Sequence, residues 1–585
     1  MPEERSSEDL IPVEEKEVIG VLEKIIGSPL PELTELQYYN IGFFTHEGHI
    51  SGLGLFSCGL TSIPKSIFSL SFLKELYLRG NNLENVPDEF FSFDSLEILD
   101  FSENQLSELT ESIGNLSSLK ELHLESNNLV CLPESLGSIS SLEFLDLSEN
   151  KLKDIPSSLN NLSNLKTLDL SGNKLEIFKT SINALFSLEI LYLGNNELST
   201  LPESIGSLKS LKRLNIRNNN LKSIFKSIGS LTSLTALFLK GNNIETLPES
   251  IGALSNLKYL GLMENKLKSI PKTIGSLSSI ENISLSSNYL TELPESIGNL
   301  KSLVRLDIHN NKLRSLPETI GGLDSLKRLN LQRNDLKNLP ESIGKMISLE
   351  ELKLGLNHLE TLPESIGLLT SLRELDLYDN LLKELPKSIG SLSSLEILDL
   401  SKNNITMLPE SIGQLSSLKE LDLSSNRLTT LTASLGSLHK LKTLILGFNK
   451  LETIPDSMGS LFTLEILDLG KNHLIKIPDS IGSLTALKYL YCYYNKLEKI
   501  PDSIGSLQSL KYLYLGNNNL MELPKTIGSL SSLKYLFLRA NTLKTLPESI
   551  KSLSSLKYLN LEKNNIIKIP DSLDKLEKRG VKIFK

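Results

Sequence analysis

The stretch Leu372-Arg-Glu-Leu375-Asp-Leu377-Tyr-Asp-Asn380-Leu-Leu382-Lys-Glu-Leu385-Pro386-Lys-Ser-Ile389-Gly390 decides the architecture of this chain. Leu375 and Leu377 alternate, as on a short strand, so both point inward while Asp376 points outward. Asn380 stands where the chain leaves the strand. Its amide offers two donors and an acceptor, enough to satisfy turn backbone groups that water cannot reach. The following Leu385-Pro386 reads as extended. Proline lacks an N–H and presets φ for the short helical turn after it. Gly390 suits the end of that turn.

Outward from this stretch, the pattern repeats. Asparagine recurs at Asn81, Asn104 and Asn127, and onward in steps of 23 residues through Asn311 and Asn380 to Asn564, 22 times without an insertion or deletion. One step earlier Cys58 holds the slot, which makes 23 repeats. Proline fills 19 of the 23 slots six residues after the asparagine, the exceptions being Thr110, Lys179, Phe225 and Thr432, so these prolines belong to the repeat. A single repeat cannot bury its leucine face alone, and stacked neighbours with parallel strands bury it together. The pattern LxxLxLxxNxLxxLPxxIGxL resembles that of leucine-rich repeats, over about nine-tenths of the chain. The resemblance implies an α/β solenoid, a horseshoe with a parallel β-sheet on its concave face and short helical turns and extended segments on its convex face.

The ends depart from the ladder, as terminal repeats must to cover exposed leucine. Residues 1–49 read as an acidic disordered tail followed by a cap, with an amphipathic helix over Val13–Ile26 and an irregular lead-in strand from Tyr38 to Ile50. Residues 50–572 are the repeat array. Residues 573–585 are the closing cap, in which Leu576 to Phe584 reads as a helix and an edge strand.

Length alone, 585 residues, would suggest three or four domains. Composition does not shift after about residue 50, as it would in a mosaic, so one array is the better reading. A net charge of −9 excludes a generally basic surface for nucleic acid. No run approaches the ~18 apolar residues of a membrane span. The first residues, Met-Pro-Glu-Glu-Arg-Ser-Ser-Glu-Asp, do not read as a signal peptide. Cys58, Cys131 and Cys492 lie far apart without CxxC spacing and read as reduced thiols. The expectation is a cytoplasmic monomer.

No catalytic pattern emerges: HExxH, the phosphate loop, GxGxxG before a helix and GxSxG are all missing from the sequence. His46-Glu47-Gly48-His49, with Cys58 as the nearest further ligand, is too sparse for a metal and reads as ordinary cap residues. Eight aspartates occupy the outward strand position: Asp100, Asp146, Asp169, Asp307, Asp376, Asp399, Asp422 and Asp468. General acid–base work needs a cleft that shifts pKa values, so a solvated ladder is the expectation. No enzyme, cofactor or metal follows from these residues.

Function must then be read from the variable side chains two, four and six residues before each asparagine and immediately before it. With 23 strands at about 4.8 Å, the inner arc is on the order of 110 Å. A central patch combines Arg305, Asp307 and His309 with Arg328, Asn330, Gln332 and Arg333, then Glu351, Lys353, Glu374, Asp376 and Tyr378. It mixes arginine and carboxylates as polar recognition surfaces do, or pairs its own charges. A second patch holds Tyr489, Tyr491, Tyr493, Tyr494, Tyr512, Tyr514, Tyr535, Phe537 and Tyr558, eight of the chain's fifteen tyrosines, so the clustering exceeds background. Tyrosine is enriched at interfaces. Ring stacking along the sheet, or repeat duplication copying Lys-Tyr-Leu-Tyr/Phe at 488–491, 511–514 and 534–537, stand as other readings.

The unit with LPxSIGxLxxL resembles the intracellular repeats of Ras- and Raf-linked scaffold proteins, of plant intracellular Ras-group repeat proteins and of Roco-type GTPases. That resemblance implies a signalling scaffold whose concave face binds a protein, a small GTPase or a phosphatase subunit. The other function class left open is a host-facing or extracellular recognition protein exported without a standard signal peptide.

Overall fold

A computed structural model describes residues 11–178, 182–567 and 571–585. The tail at 1–10 and the Lys179 exception lie outside the described residues. The chain divides into two compact units, up to Tyr289 and from Leu290.

The first unit opens with α1 (Val13–Ile26), the helix expected from the sequence. Pro12 precedes it, and Gly27, at φ +78°, ends it by donating its N–H to the Glu23 carbonyl at 2.8 Å. Its buried face carries Val18, Leu22 and Glu15. The buried Glu15 carboxylate meets His49 Nδ1 and accepts the Ile50 N–H, each at 2.7 Å. The His49 ring also stacks on Phe72, at 3.9 Å between centroids. The expected lead-in strand is an antiparallel hairpin instead, β1 (Ile41–His46) and β2 (His49–Leu55). Glu47 and Gly48 form its loop at φ +52° and +80°. Two consecutive left-handed residues give the tight turn whose twist suits a hairpin, so Glu-Gly was the missed signal.

Within each unit the strands that follow β1 pair in parallel. β3 (Glu75–Tyr77) to β12 (Asn282–Ser284) each contribute three residues to the first unit. The second unit runs from β13 (Arg305–Asp307) to β24 (Tyr558–Asn560) and closes with α2 (Asp571–Lys578) and β25 (Lys582–Phe584), which pairs with β24. A closing helix followed by an edge strand was expected from Leu576, and the helix instead begins at Asp571. Register follows the period: Leu352, Leu375 and Leu398 are successive partners. All three are buried, as are Leu377 and Leu382 on either side of Asn380.

The asparagines tie one repeat to the one before it. Asn380 Oδ1 accepts the Leu359 N–H at 2.9 Å. Its Nδ2 donates to Leu354 O at 3.0 Å, in the preceding repeat, and to Leu377 O at 3.1 Å, in its own. Asn81, Asn104, Asn127 and Asn564 repeat the pattern. The amide thus replaces water for backbone groups deep in the turn. The residue just before it is left-handed in repeat after repeat, as at Arg333 (φ +53°), Asp379 (+54°) and Tyr494 (+50°). This rare conformation swings the asparagine inward and keeps its predecessor on the surface.

The turn side reads differently from the expectation at the glycines. Gly206 and Gly390 sit inside five-residue 3-10 turns, Glu203–Ser207 and Lys387–Ser391, with no left-handed φ. Close approach explains them. A Cβ on Gly206 would stand 2.5 Å from Ser227 Cβ, and one on Gly390 would stand 2.3 Å from Ser411 O. The glutamate after proline ties adjacent turns: Glu203 accepts Lys226 and Ser227 N–H groups at 2.9 and 2.7 Å.

A charge ladder borders the strands. The residue preceding each strand alternates in sign through Lys74, Glu97, Lys120, Glu143, Lys166, Glu189 and Lys212. Lys120–Glu97, Lys166–Glu143 and Lys212–Glu189 pair at 2.5, 2.6 and 2.8 Å. Among the described residues no helix is long and apolar enough to cross a membrane.

Candidate partner-binding face

Strand alternation presents the residues six and four before each asparagine on one side of the sheet, with the leucine between them buried. In β21 (Tyr489–Tyr491), β22 (Tyr512–Tyr514), β23 (Tyr535–Phe537) and β24 those positions are aromatic except Asn560. They form two stacked columns. In one, Tyr489, Tyr512 and Tyr535 lie with centroids 4.8 and 4.6 Å apart and planes within 15°. In the other, Tyr491, Tyr514 and Phe537 stand 4.9 and 4.2 Å apart. Both converge on Tyr558, 6.3 Å from Tyr535 and 4.9 Å from Phe537. Phe584 of β25 extends the stack at 5.0 Å from Tyr558. Sequence reading missed Phe584, because its strand is off the 23-residue register.

Tyr493 and Tyr494 stand apart from the columns. Tyr493 lies over Gly470, where a Cβ would meet its ring at 2.4 Å, so glycine makes room for the ring. Tyr494 is 54% exposed and shares the Lys471 ammonium with Phe448, at 5.6 and 4.1 Å from the two rings. The column rings are half-buried. Burial pushes the Tyr491 and Tyr514 phenols above their ordinary range. Among the described residues, the hydroxyls of Tyr489, Tyr491, Tyr512, Tyr514, Tyr535 and Tyr558 have no hydrogen-bond partner, and they border solvent.

Most of the central patch closes on itself. His309 Nδ1 meets Asp307 at 2.8 Å. Arg328 reaches Glu351 at 3.5 Å, and Lys353 bridges Glu351 and Glu374 at 2.7 and 3.5 Å. Gln332 donates to Asp376 at 2.5 Å, and Lys402 donates to the Tyr378 hydroxyl at 2.7 Å. Arg305 and Arg333 are exposed and have no carboxylate partner among the described residues.

The aspartates are not a freely solvated ladder. Asp100 is 1% exposed. Asp376, Asp399, Asp422 and Asp468 each accept the N–H two residues on, at 2.7–2.9 Å. These bonds cap the strand exit, as aspartate does in turns. Burial, with a like charge from Asp399, raises the Asp376 carboxyl, and burial raises Asp169 to about 6. Among the described residues no group of three or more His, Cys, Asp or Glu side chains could hold a metal.

A 23-residue parallel ladder with inward asparagines and 3-10 turns is the signature the sequence pointed to, and family comparison agrees. The pattern described as a leucine-rich repeat region matches residues 126–237, 203–289, 282–378, 360–450, 431–515 and 501–578, and one described as leucine rich repeat matches 51–106 and 71–129. The chain belongs to the leucine-rich repeat family. Among solved structures, this leucine-rich repeat chain is similar to a repeat protein of Leptospira interrogans, with 32% identity, 76% of this chain and 96% of that one covered, and a TM-score of 0.54. The plant peptide hormone receptor RGFR1, solved in complex with RGF2, is 30% identical over 92% of this chain and 93% of its own, at a TM-score of 0.64. YopM of Yersinia enterocolitica is 26% identical over 86% and 90%, at 0.55. No curated protein matches. The leucine-rich repeat fold typically mediates protein–protein interaction and ligand binding rather than catalysis.

Proposed function

We propose that this leucine-rich repeat protein is an interaction scaffold whose sheet face, around the stacked tyrosines, binds a protein partner. The observation that carries this reading is the pair of aromatic columns with unpartnered hydroxyls bordering solvent. Tyrosine couples a large apolar ring to a polar tip at little rotamer cost. A stack already ordered by its own neighbours loses less freedom on binding. By the resemblance of its LPxSIGxL unit, the partner is a small GTPase or a phosphatase subunit, and the setting is cytoplasmic signalling by a monomer. The three thiols, none in a disulfide, support that setting.

The test replaces Tyr491, Tyr493 and Tyr514 with serine and compares partners captured from the native cell by mass spectrometry. Partner capture should weaken by at least ~2 kcal/mol while circular dichroism stays unchanged, because Leu490 and Leu513 beneath are untouched. A folded triple variant that keeps every partner would transfer the role to Arg305 and Arg333.

The second reading is a recognition protein acting outside the cell of origin. It is favoured by the similarity to a peptide-bound plant hormone receptor and to two bacterial repeat proteins. Detection of the chain in culture medium from intact cells would favour it over the scaffold reading.

A further inference from the structure

The charge ladder beside the strands changes character at the aromatic columns. Up to Lys488, which pairs with Glu465 at 2.6 Å, lysines on this edge meet glutamates at many steps. The next three positions are Lys511, Lys534 and Lys557, in successive repeats, and none has a carboxylate partner among the described residues. Each immediately precedes a ring of the first column, Tyr512, Tyr535 or Tyr558. Adjacent strands set these ammonium stems roughly 5 Å apart at the backbone. Like charges brought this close repel, and Glu465, whose carboxyl is held below its usual range chiefly by its bond to Lys488 and also by Lys511, offsets the row only at its near end. Carboxylates bound the stretch: Asp468 is the register partner of Tyr491, and Glu562 already meets Arg539 at 3.8 Å.

We propose that the lysine row and the adjoining tyrosine columns take an acidic, extended polypeptide segment, with carboxylates on the ammonium groups and the phenol hydroxyls. This rests on the binding role assigned above and names its partner class. Ring geometry selects a peptide over single-stranded nucleic acid. Bases need free aromatic faces. Here the faces are spent on one another, at 4.2–4.9 Å along the columns, and what borders solvent is donor hydroxyls, with the lysines one residue before the first column in sequence. Ring edges carry positive potential and favour a carboxylate over a π-face. The bounding acids limit the anionic contact to about three repeats.

The probe is a fluorescein-labelled peptide of alternating glutamate and serine, followed by fluorescence anisotropy on the full chain. A glutamine–serine peptide and oligothymidylate are the comparisons. The glutamate peptide should bind, and added salt should weaken it. Lys511→Gln/Lys534→Gln/Lys557→Gln should weaken it at least tenfold, and arginine at the same positions should restore it. Equal binding of the glutamine peptide, tighter binding of oligothymidylate, or unchanged affinity in the lysine variant overturns the proposal. If the tyrosine variant loses its cellular partner while the lysine variant keeps it, the acidic segment is rejected and the aromatic site stands. If neither variant loses the partner, both readings fall.

Discussion

The central and aromatic patches occupy the same slots of the same repeat, on strands of equal length and register. One is largely self-satisfied, with Lys353, Glu351, Glu374, Gln332 and Asp376 holding one another and only Arg305 and Arg333 left without a carboxylate among the described residues. The other satisfies only its ring faces and leaves hydroxyls and three lysines open. The comparison teaches that one backbone template can carry both kinds of face. What differs is whether neighbouring side chains complete one another's bonds or leave them open.

The largest effect should come from breaking what both patches share. Asn380→Ala under the first and Asn495→Ala under the second should each destabilise by about 1–3 kcal/mol, because the deep turn groups lose their partners. Urea unfolding would measure both. A marked difference between the two would mean that the ladder's contribution depends on the face above it.

The next test sharpens the contrast by asking what burial does to charge on this face outside both patches. Asp169 has a folded pKa of about 6, raised by burial from 3.8. Its ionisation therefore opposes folding. Stability should fall as pH rises from about 4 to about 6, where the native state holds a proton the unfolded chain has lost. Asp169→Asn should remove that slope and stabilise the protein at neutral pH by on the order of 1–2 kcal/mol, keeping the acceptor for the Ser171 N–H. NMR titration of the carboxyl should show a midpoint near 6. A midpoint near 4 would sink the burial argument.

The smallest effects separate the patches directly. A double-mutant cycle on Tyr512 and Tyr535 should give a coupling of about 0.5–1.5 kcal/mol, independent of salt. A cycle on Lys353 and Glu351 should give about 0.2–1 kcal/mol and fade with added salt. Equal salt dependence would dissolve the distinction between the two faces.

Much of this architecture was legible because one period repeats so often that a single quoted unit carries it. Helix α1 and the closing β25 followed from hydrophobic pattern and loss of register. The hairpin β1–β2 did not, since Glu-Gly is a weaker turn signal than Asn-Gly and the loop lies before the ladder begins. The glycines of the 3-10 turns suit the end of a helical turn by residue type, whereas their reason is close approach to the serine or threonine of the next repeat, a contact invisible within one repeat. Both patches were locatable from strand alternation. Whether their members pair with one another was not, because cross-repeat distances of a few ångströms depend on rotamers. The same limit hid the half-burial of the aspartates.

The alternating ladder from Lys74 to Lys212 bears on how such a chain can change its copy number. Excising one repeat there, for instance the one carrying Glu97, sets Lys74 beside Lys120, like against like. Excising two neighbouring repeats restores opposite signs. Recombination within this segment should therefore be tolerated best in steps of two, as though the heritable tile were a pair of repeats rather than one.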